Sequence, residues 1–209
     1  MTSDLNIMSQ IVDLIHKGDN EEIQKLLKLY DKDPGGYLQT MNECDEMQKS
    51  AIELFTILDY RNIVEKAISN GYNELHVNRR NGYNLAHYAA MWNRADLLKY
   101  LYFAGVDMYS KNIYGETAHK LAEKYEQKEA MHILEWIECR DQFLTLIRLV
   151  REILATADKN VYTREERKIA DAACLDGESW VNKNKEATLS MLKTKKEQIE
   201  LIVEPFFTK

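Results

Sequence analysis

Proline is nearly missing from this sequence: its 209 residues contain two, Pro34 and Pro205, beside eight glycines. Architectures rich in β-structure need many turns, and turns draw on these two residue types, so the shortage predicts a mostly helical chain. Cysteine is sparse as well. Cys44, Cys139 and Cys174 are far apart, odd in number and outside any CxxC or Cys/His spacing, which argues against a disulfide framework and a zinc site. No apolar run approaches the roughly 18 residues of a membrane span. Met1-Thr2-Ser3-Asp4-Leu5 has no basic region leading into an apolar core, so no signal peptide is expected. The expectation is a soluble, cytoplasmic protein with reduced thiols.

Positive charge is in deficit too, with a formal net charge of −6. The densest basic clusters are Arg79-Arg80 and Lys193, Lys195, Lys196, the second set among acidic residues. Such charges predict a solvated helix face rather than nucleic-acid contact. What remains is ordinary globular material: 45% hydrophobic and 30% charged residues are enough to bury a core and exclude a disordered chain.

The strongest positive signal is self-similarity. Shifting Asn81-Gly82-Tyr83-Asn84-Leu85-Ala86-His87-Tyr88-Ala89-Ala90 forward by 33 residues places Gly82 on Gly115, Ala89 on Ala122, Leu98 on Met131 and Leu101 on Leu134. Shifting backward by 34 places Gly105 on Gly71, Leu97-Leu98 on Ile63-Val64 and Tyr102 on Ile68. Period and content resemble the ankyrin repeat, whose consensus runs Gly-x-Thr-Pro-Leu-His-x-Ala-Ala and then Ile-Val-x-x-Leu-Leu-x-x-Gly. His87 matches the box histidine and Ala89-Ala90 its alanine pair, while the box proline is absent and Lys120 stands at the next histidine position. Residues 45–77 keep mainly the second half, Ile63 to Gly71.

Physical reasoning agrees with the pattern. Small residues at Ala89, Ala90 and Ala122 allow close helix approach, and Gly71 and Gly105 sit where a helix C-cap takes glycine. Ile7, Ile11, Leu14 and Ile15 form one helical stripe; Ile23, Leu26, Leu27 and Tyr30 form a second beyond Gly18-Asp19. This pair reads as a capping repeat, followed by a long turn at Lys32-Asp33-Pro34-Gly35-Gly36. Four units from about 5 to 138 are expected.

After Glu138 the period stops. Phe143, Leu146, Ile147, Val150, Ile153 and Leu154 form an amphipathic stripe that Asp158-Lys159-Asn160 ends. Thr163 with Glu166 forms a capping box for a helix carrying Ile169, Ala172, Ala173, Trp180 and Val181 on one side. Gly177 inside that helix, at about 1 kcal/mol relative to alanine, suggests a kink. A last stripe holds Leu189, Leu192, Ile199, Ile202, Val203 and Phe206. The expected fold is therefore all-α: an ankyrin solenoid of about four repeats over 1–140, then a three-helix bundle over 141–209.

Within the tail, Thr163 to Ile169, Trp180-Val181-Asn182-Lys183-Asn184-Lys185-Glu186-Ala187 and the closing Val203-Glu204-Pro205-Phe206-Phe207-Thr208-Lys209 resemble the helical lid of DnaK-type heat-shock chaperones. The chaperone's ATPase and peptide-gripping domains have no counterpart, no GxxxxGK[ST] or GxGxxG loop occurs, and the chain stops at Lys209 without the acidic cochaperone motif. An ankyrin stack with such a segment resembles a group of small animal proteins associated with dividing cells and motile cilia. That resemblance implies the cytoplasm and the ciliary or flagellar axoneme.

Catalysis finds no foothold. His16, His76, His87, His119 and His132 lack a nucleophile partner or HExxH spacing; His87 is expected to be buried and to tie neighbouring loops through backbone hydrogen bonds. No cofactor, metal, small-molecule substrate, nucleic acid or membrane is expected as a ligand. Binding of a protein is. In ankyrin stacks the residues beside the repeat glycine and at the end of the first helix line one concave groove. The resemblance assigns Arg80, Asn81, Tyr83, Met91 and Trp92 of the third repeat, with Ile113, Tyr114, Glu116, Lys124 and Tyr125 of the fourth. Aromatic residues and arginine dominate interface hot spots. The leading expectation is a scaffold or adaptor, with a chaperone accessory acting through the tail as the alternative. Trp136 is expected to seal the solenoid against the tail, and Trp180 to anchor the bundle core.

Overall fold

The computed structural model describes residues 10–72, 77–158 and 161–207. Met1 to Leu5, Ile7, His76, Lys159-Asn160 and Thr208-Lys209, used above, lie outside them. The described residues are helical and contain no strand, only an isolated bridge between Cys44 and Ser50. The chain divides into two compact units, 1–134 and 135–209.

The first unit is a succession of short helix pairs. Helices α1 (Gln10–Lys17) and α2 (Asn20–Leu29) turn at Gly18, φ 69°, and Asp19 caps α2 by accepting from Glu22 N at 3.1 Å. Next comes α3 (Pro34–Met41), where the sequence predicted a turn. Pro34 occupies the first helical turn and the Asp33 side chain accepts from Gly36 N at 3.0 Å. Pro-Gly-Gly here starts a helix, because proline is tolerated at N1 and the cap satisfies an amide that would otherwise be orphaned. Tyr37 and Met41 then bury completely.

Three further pairs keep one geometry: α4 (Ala51–Ile57) with α5 (Arg61–Ser69), α6 (Leu85–Met91) with α7 (Ala95–Phe103), and α8 (Ala118–Lys124) with α9 (Lys128–Thr156). Ser50, Asn84 and Thr117 are the N-caps of the first helices. Asp59, Asn93 and Glu126, at φ 63°, 57° and 56°, form the turn between the two helices of each pair. Along the stack α4 packs on α6 and α6 on α8, with Phe55, Leu85, Tyr88, Ala89, Leu121 and Ala122 in the seam. The alanines let neighbouring backbones close on each other. Gly71 and Gly105 end the second helices at φ 91° and 94°; at the equivalent place stands Glu138, and α9 runs on without a break.

In the second unit, the C-terminal part of α9, α10 (Arg164–Lys183) and α11 (Leu189–Val203) bury one stripe each. From α9 come Phe143, Ile147, Val150 and Leu154; from α11, Leu189, Leu192, Ile199 and Val203. In α10 the buried face is Ala170, Ala173, Cys174, Gly177 and Val181. Ile169 and Ala172, expected inside, are exposed, and so is Ile202 in α11.

Bulk explains the reversal. A Cβ on Gly177 would stand 3.2 Å from Ile147 Cδ1 and from Cε2 and Cζ of Phe143. The large residues of α9 therefore seat on the small face of α10, and α10 continues through Gly177 as one helix. Trp180, expected in the core, is half-buried beside that face. Trp136 is 4% exposed, and its indole N–H donates to the Ala187 carbonyl at 2.8 Å within the second unit. Arg167 closes α9 by donating to the carbonyls of Leu154, Ala157 and Asp158 at 2.6, 3.2 and 3.1 Å.

Candidate partner-binding surface

Each of the last three pairs of helices in the stack is preceded by a tight finger of chain. The first spans Asp45 to Lys49, where Asp45 N donates to Lys49 O at 2.8 Å. The second spans Asn78 to Tyr83, again closed by an amide-to-carbonyl bond of 2.8 Å. In the third, Asn112 N donates to Glu116 O at 3.0 Å. The tips reverse through Gln48, Gly82 and Gly115 at φ 63°, 71° and 74°. Only at Gly82 does a neighbour also demand glycine, since a Cβ there would meet Ile113 N at 2.9 Å.

Fingers are tied in order along the stack. Asn78, buried, donates from Nδ2 to Gln48 O at 2.8 Å and to the buried Glu53 carboxylate at 2.9 Å. Arg80 Nη1 donates to Met47 O at 3.2 Å, and Ile113 N donates to Asn81 O at 3.1 Å. His87 makes the same kind of link. Its Nδ1 lies 3.2 Å from Asn84 N and 2.6 Å from Asn84 Oδ1, and its Nε2 3.1 Å from the Glu116 carbonyl. Burial holds this imidazole below its ordinary pKa, so it stays neutral. The role expected of His87 from the repeat box is the one it has. Glu53 takes the corresponding place one unit earlier, accepting from Ser50 N at 3.0 Å; the degraded box of residues 45–77 concealed it.

The ten predicted residues fall in two rows. Arg80, Asn81, Tyr83, Ile113, Tyr114 and Glu116 belong to the fingers, and Met91, Trp92, Lys124 and Tyr125 to the ends of α6 and α8. Several also serve the fold. Asn81 Oδ1 accepts from Tyr83 N at 2.9 Å while its Nδ2 donates to Tyr88 Oη at 3.1 Å. Tyr83 is half-buried, its ring 5.3 Å from His87 and 5.2 Å from Tyr88. Burial raises its phenol pKa, and the nearby Glu116 carboxylate adds to the shift. Glu116 accepts from Lys124 Nζ at 2.7 Å and Asn112 Nδ2 at 2.9 Å, and these bonds hold its carboxyl below the usual range.

Met91 is half-buried, and the remaining residues are open to solvent. Tyr114 is 70% and Ile113 61% exposed. Trp92 and Tyr125 are the C-cap residues of α6 and α8, 49% and 46% exposed, and each precedes a residue of positive φ. The equivalent C-cap of α4 is Leu58, 47% exposed. Sequence reasoning missed Leu58, although a shift of 34 from Trp92 finds it. Met47 joins the finger row in the same way. Three successive units thus expose a large apolar side chain from one structural position.

Chemistry elsewhere is poor. An open cleft of about 460 Å³ gathers Asp13, His16, Cys44 and Asp45. However, burial raises the Cys44 thiol pKa, helped by Glu53 and Asp45, which opposes a nucleophile's need. His16 Nε2 stands 3.9 Å from Asp45 Oδ2, beyond hydrogen-bond reach. Among the described residues no group of three His, Cys, Asp or Glu could hold a metal ion, and no helix is long and apolar enough to cross a membrane.

No family model matches the sequence. A curated relative does: Ankyrin repeat domain-containing protein 45 of Homo sapiens is similar to this chain, with 30% identity over 108 residues. The match covers 49% of this chain and 40% of the relative's length. The ankyrin likeness read from the repeat is borne out by that relative. The likeness of the tail to a chaperone lid has no support from these comparisons.

Proposed function

We propose that the chain is a non-catalytic adaptor that holds a protein partner along the face formed by its fingers and first helices. The observation that carries this reading is the column Leu58, Trp92, Tyr125, three large apolar residues half-open to solvent at one repeated position. Folding demands no bulk at a solvent-facing C-cap, whereas clustered exposed aromatics suit a contact surface. An ankyrin homologue points the same way, toward protein–protein interaction. Trp92→Ala combined with Tyr114→Ala is expected to weaken partner capture by more than about 2 kcal/mol with helicity unchanged. Affinity purification from ciliated cells compares the two forms; equal recovery of partners by both forms refutes the reading.

The finer proposal places this adaptor in the cytoplasm as a component of a ciliary or flagellar axoneme, with 1–140 as an ankyrin solenoid and 141–209 as a separate helical contact. Its rival is a chaperone accessory working through the tail, favoured by Ile169, Leu175 and Leu201, which are open to solvent on α10 and α11. Recovery dominated by heat-shock chaperones, equal for wild type and the double variant, supports that rival.

A further inference from the structure

The spacing and charge of the finger face restrict what can lie on it, given the adaptor reading on which this inference rests. We infer that the face takes an amphipathic helix with apolar residues seven apart and an acidic flank turned toward the fingers. Spacing comes first. Because α4 packs on α6 and α6 on α8, Leu58, Trp92 and Tyr125 step along the stack by one interhelix distance, about 10 Å. In a helix, seven residues rise about 10.5 Å and return to nearly the same face. An extended strand covers that distance in about three residues, which puts successive contacts on opposite faces. A helix therefore meets all three residues from one stripe, and a strand does not.

Charge supplies the second restriction. The chain as a whole is acidic, at −6, and the first finger carries Asp45 and Glu46, but the second and third fingers and the helix behind them carry Arg79, Arg80, Lys111, Lys120 and Lys124 against Glu116 and Glu123. Glu116 is bonded to Lys124, and Lys120 also acts on it. Arg80 is exposed and bonded to the neutral Met47 carbonyl. The opposite edge, at the turns, mixes Asp59 and Glu126 with Arg61, Arg94 and Lys128. A helix lying along the apolar column thus meets a basic edge on the side of the second and third fingers and a charge-balanced one on the turn side. This difference sets its acidic flank.

The test uses the full chain and a fluorescein-labelled synthetic helix of roughly 20 residues, with leucines seven apart and glutamates on one flank. Controls are the same peptide with lysine for glutamate and one with leucines five apart. Anisotropy is expected to show the acidic heptad peptide bound about tenfold tighter than either control. Trp92→Ala should remove about tenfold of that affinity. Lys111→Glu with Lys120→Glu should weaken the acidic peptide and strengthen the basic one. Lys120→Glu gives Thr117 a capping-box partner, so the fold is preserved.

Equal binding of acidic and basic peptides, still weakened by Trp92→Ala, overturns this inference and leaves the adaptor face standing. Acidic-peptide binding indifferent to Trp92→Ala and Leu58→Ala overturns both. Failure of every peptide to bind overturns the helix assignment. Self-association of the chain that Trp92→Ala abolishes also overturns it, because a second copy is then the occupant.

Discussion

Replacing Glu43 by glutamine is expected to stabilise the repeat unit at neutral pH and to lose that advantage in acid. The Glu43 side chain accepts from the Ile11 amide, but its Oε2 is buried with no hydrogen-bond partner, and burial pushes the carboxyl up from 4.5 to about 7. Folding therefore raises the affinity of this group for a proton. Between the two values the folded state binds more protons than the unfolded one, so its contribution falls as pH rises and the penalty is complete above about 7. Each tenfold gain in proton affinity corresponds to about 1.4 kcal/mol, which sets a ceiling near 3 kcal/mol; access of the other carboxyl edge to water brings the expected gain to about 1–2 kcal/mol. Glutamine keeps an acceptor for the Ile11 amide and carries no charge into the buried position. Urea unfolding of both forms should show the variant ahead at about pH 7.5, with the gap closing toward about pH 4.5. A gap of unchanged size across that range, or a variant weaker throughout, refutes the reasoning.

Other consequences are as direct. His87→Ala removes a fully buried ring, its bond to Glu116 and its cap on Asn84; a loss of about 2–4 kcal/mol in urea unfolding is expected. Since burial lowers the His87 pKa below 6.5, wild-type stability through this group is fully present above 6.5 and is lost as pH falls from there through the lowered value of the folded state. His87→Ala should flatten that limb. Gly177→Leu should destabilise the tail unit by about 2 kcal/mol or more, because Phe143 and Ile147 are themselves buried and cannot yield; thermal unfolding of the variant reads this. Trp136→Phe leaves the Ala187 carbonyl without its indole donor, at a cost of about 1–2 kcal/mol read in the same way.

The repeat and its box histidine were legible because they are spelled in residue types that only one arrangement satisfies: His87 between two loops, and alanines where helices close up. The helix at Pro34 was hidden because proline and two glycines read as a turn unless the Asp33 cap is weighed against them. In α10 the sequence shows larger apolar residues at Ile169 and Trp180, and the rule that bulk goes inside misled, since the bulk at that seam comes from Phe143 on another helix. Leu58 escaped notice because the repeat over residues 45–77 keeps little of the box, so nothing in its own neighbourhood marked it as equivalent to Trp92. Asp59, Asn93 and Glu126 share no residue type, and their common left-handed backbone emerges only from the fold.

The fingers touch in single file: Asn78 reaches back to Gln48, Asn81 receives Ile113, and His87 reaches forward to Glu116. A stack linked only between neighbours behaves as a chain of coupled switches, opening from whichever end is weaker. A ligand spanning Leu58 to Tyr125 would hold three such switches closed together, stabilising all of them by the same binding free energy. Its arrival should be visible far from any contact, as slowed hydrogen exchange in the buried amides of α5 and α7.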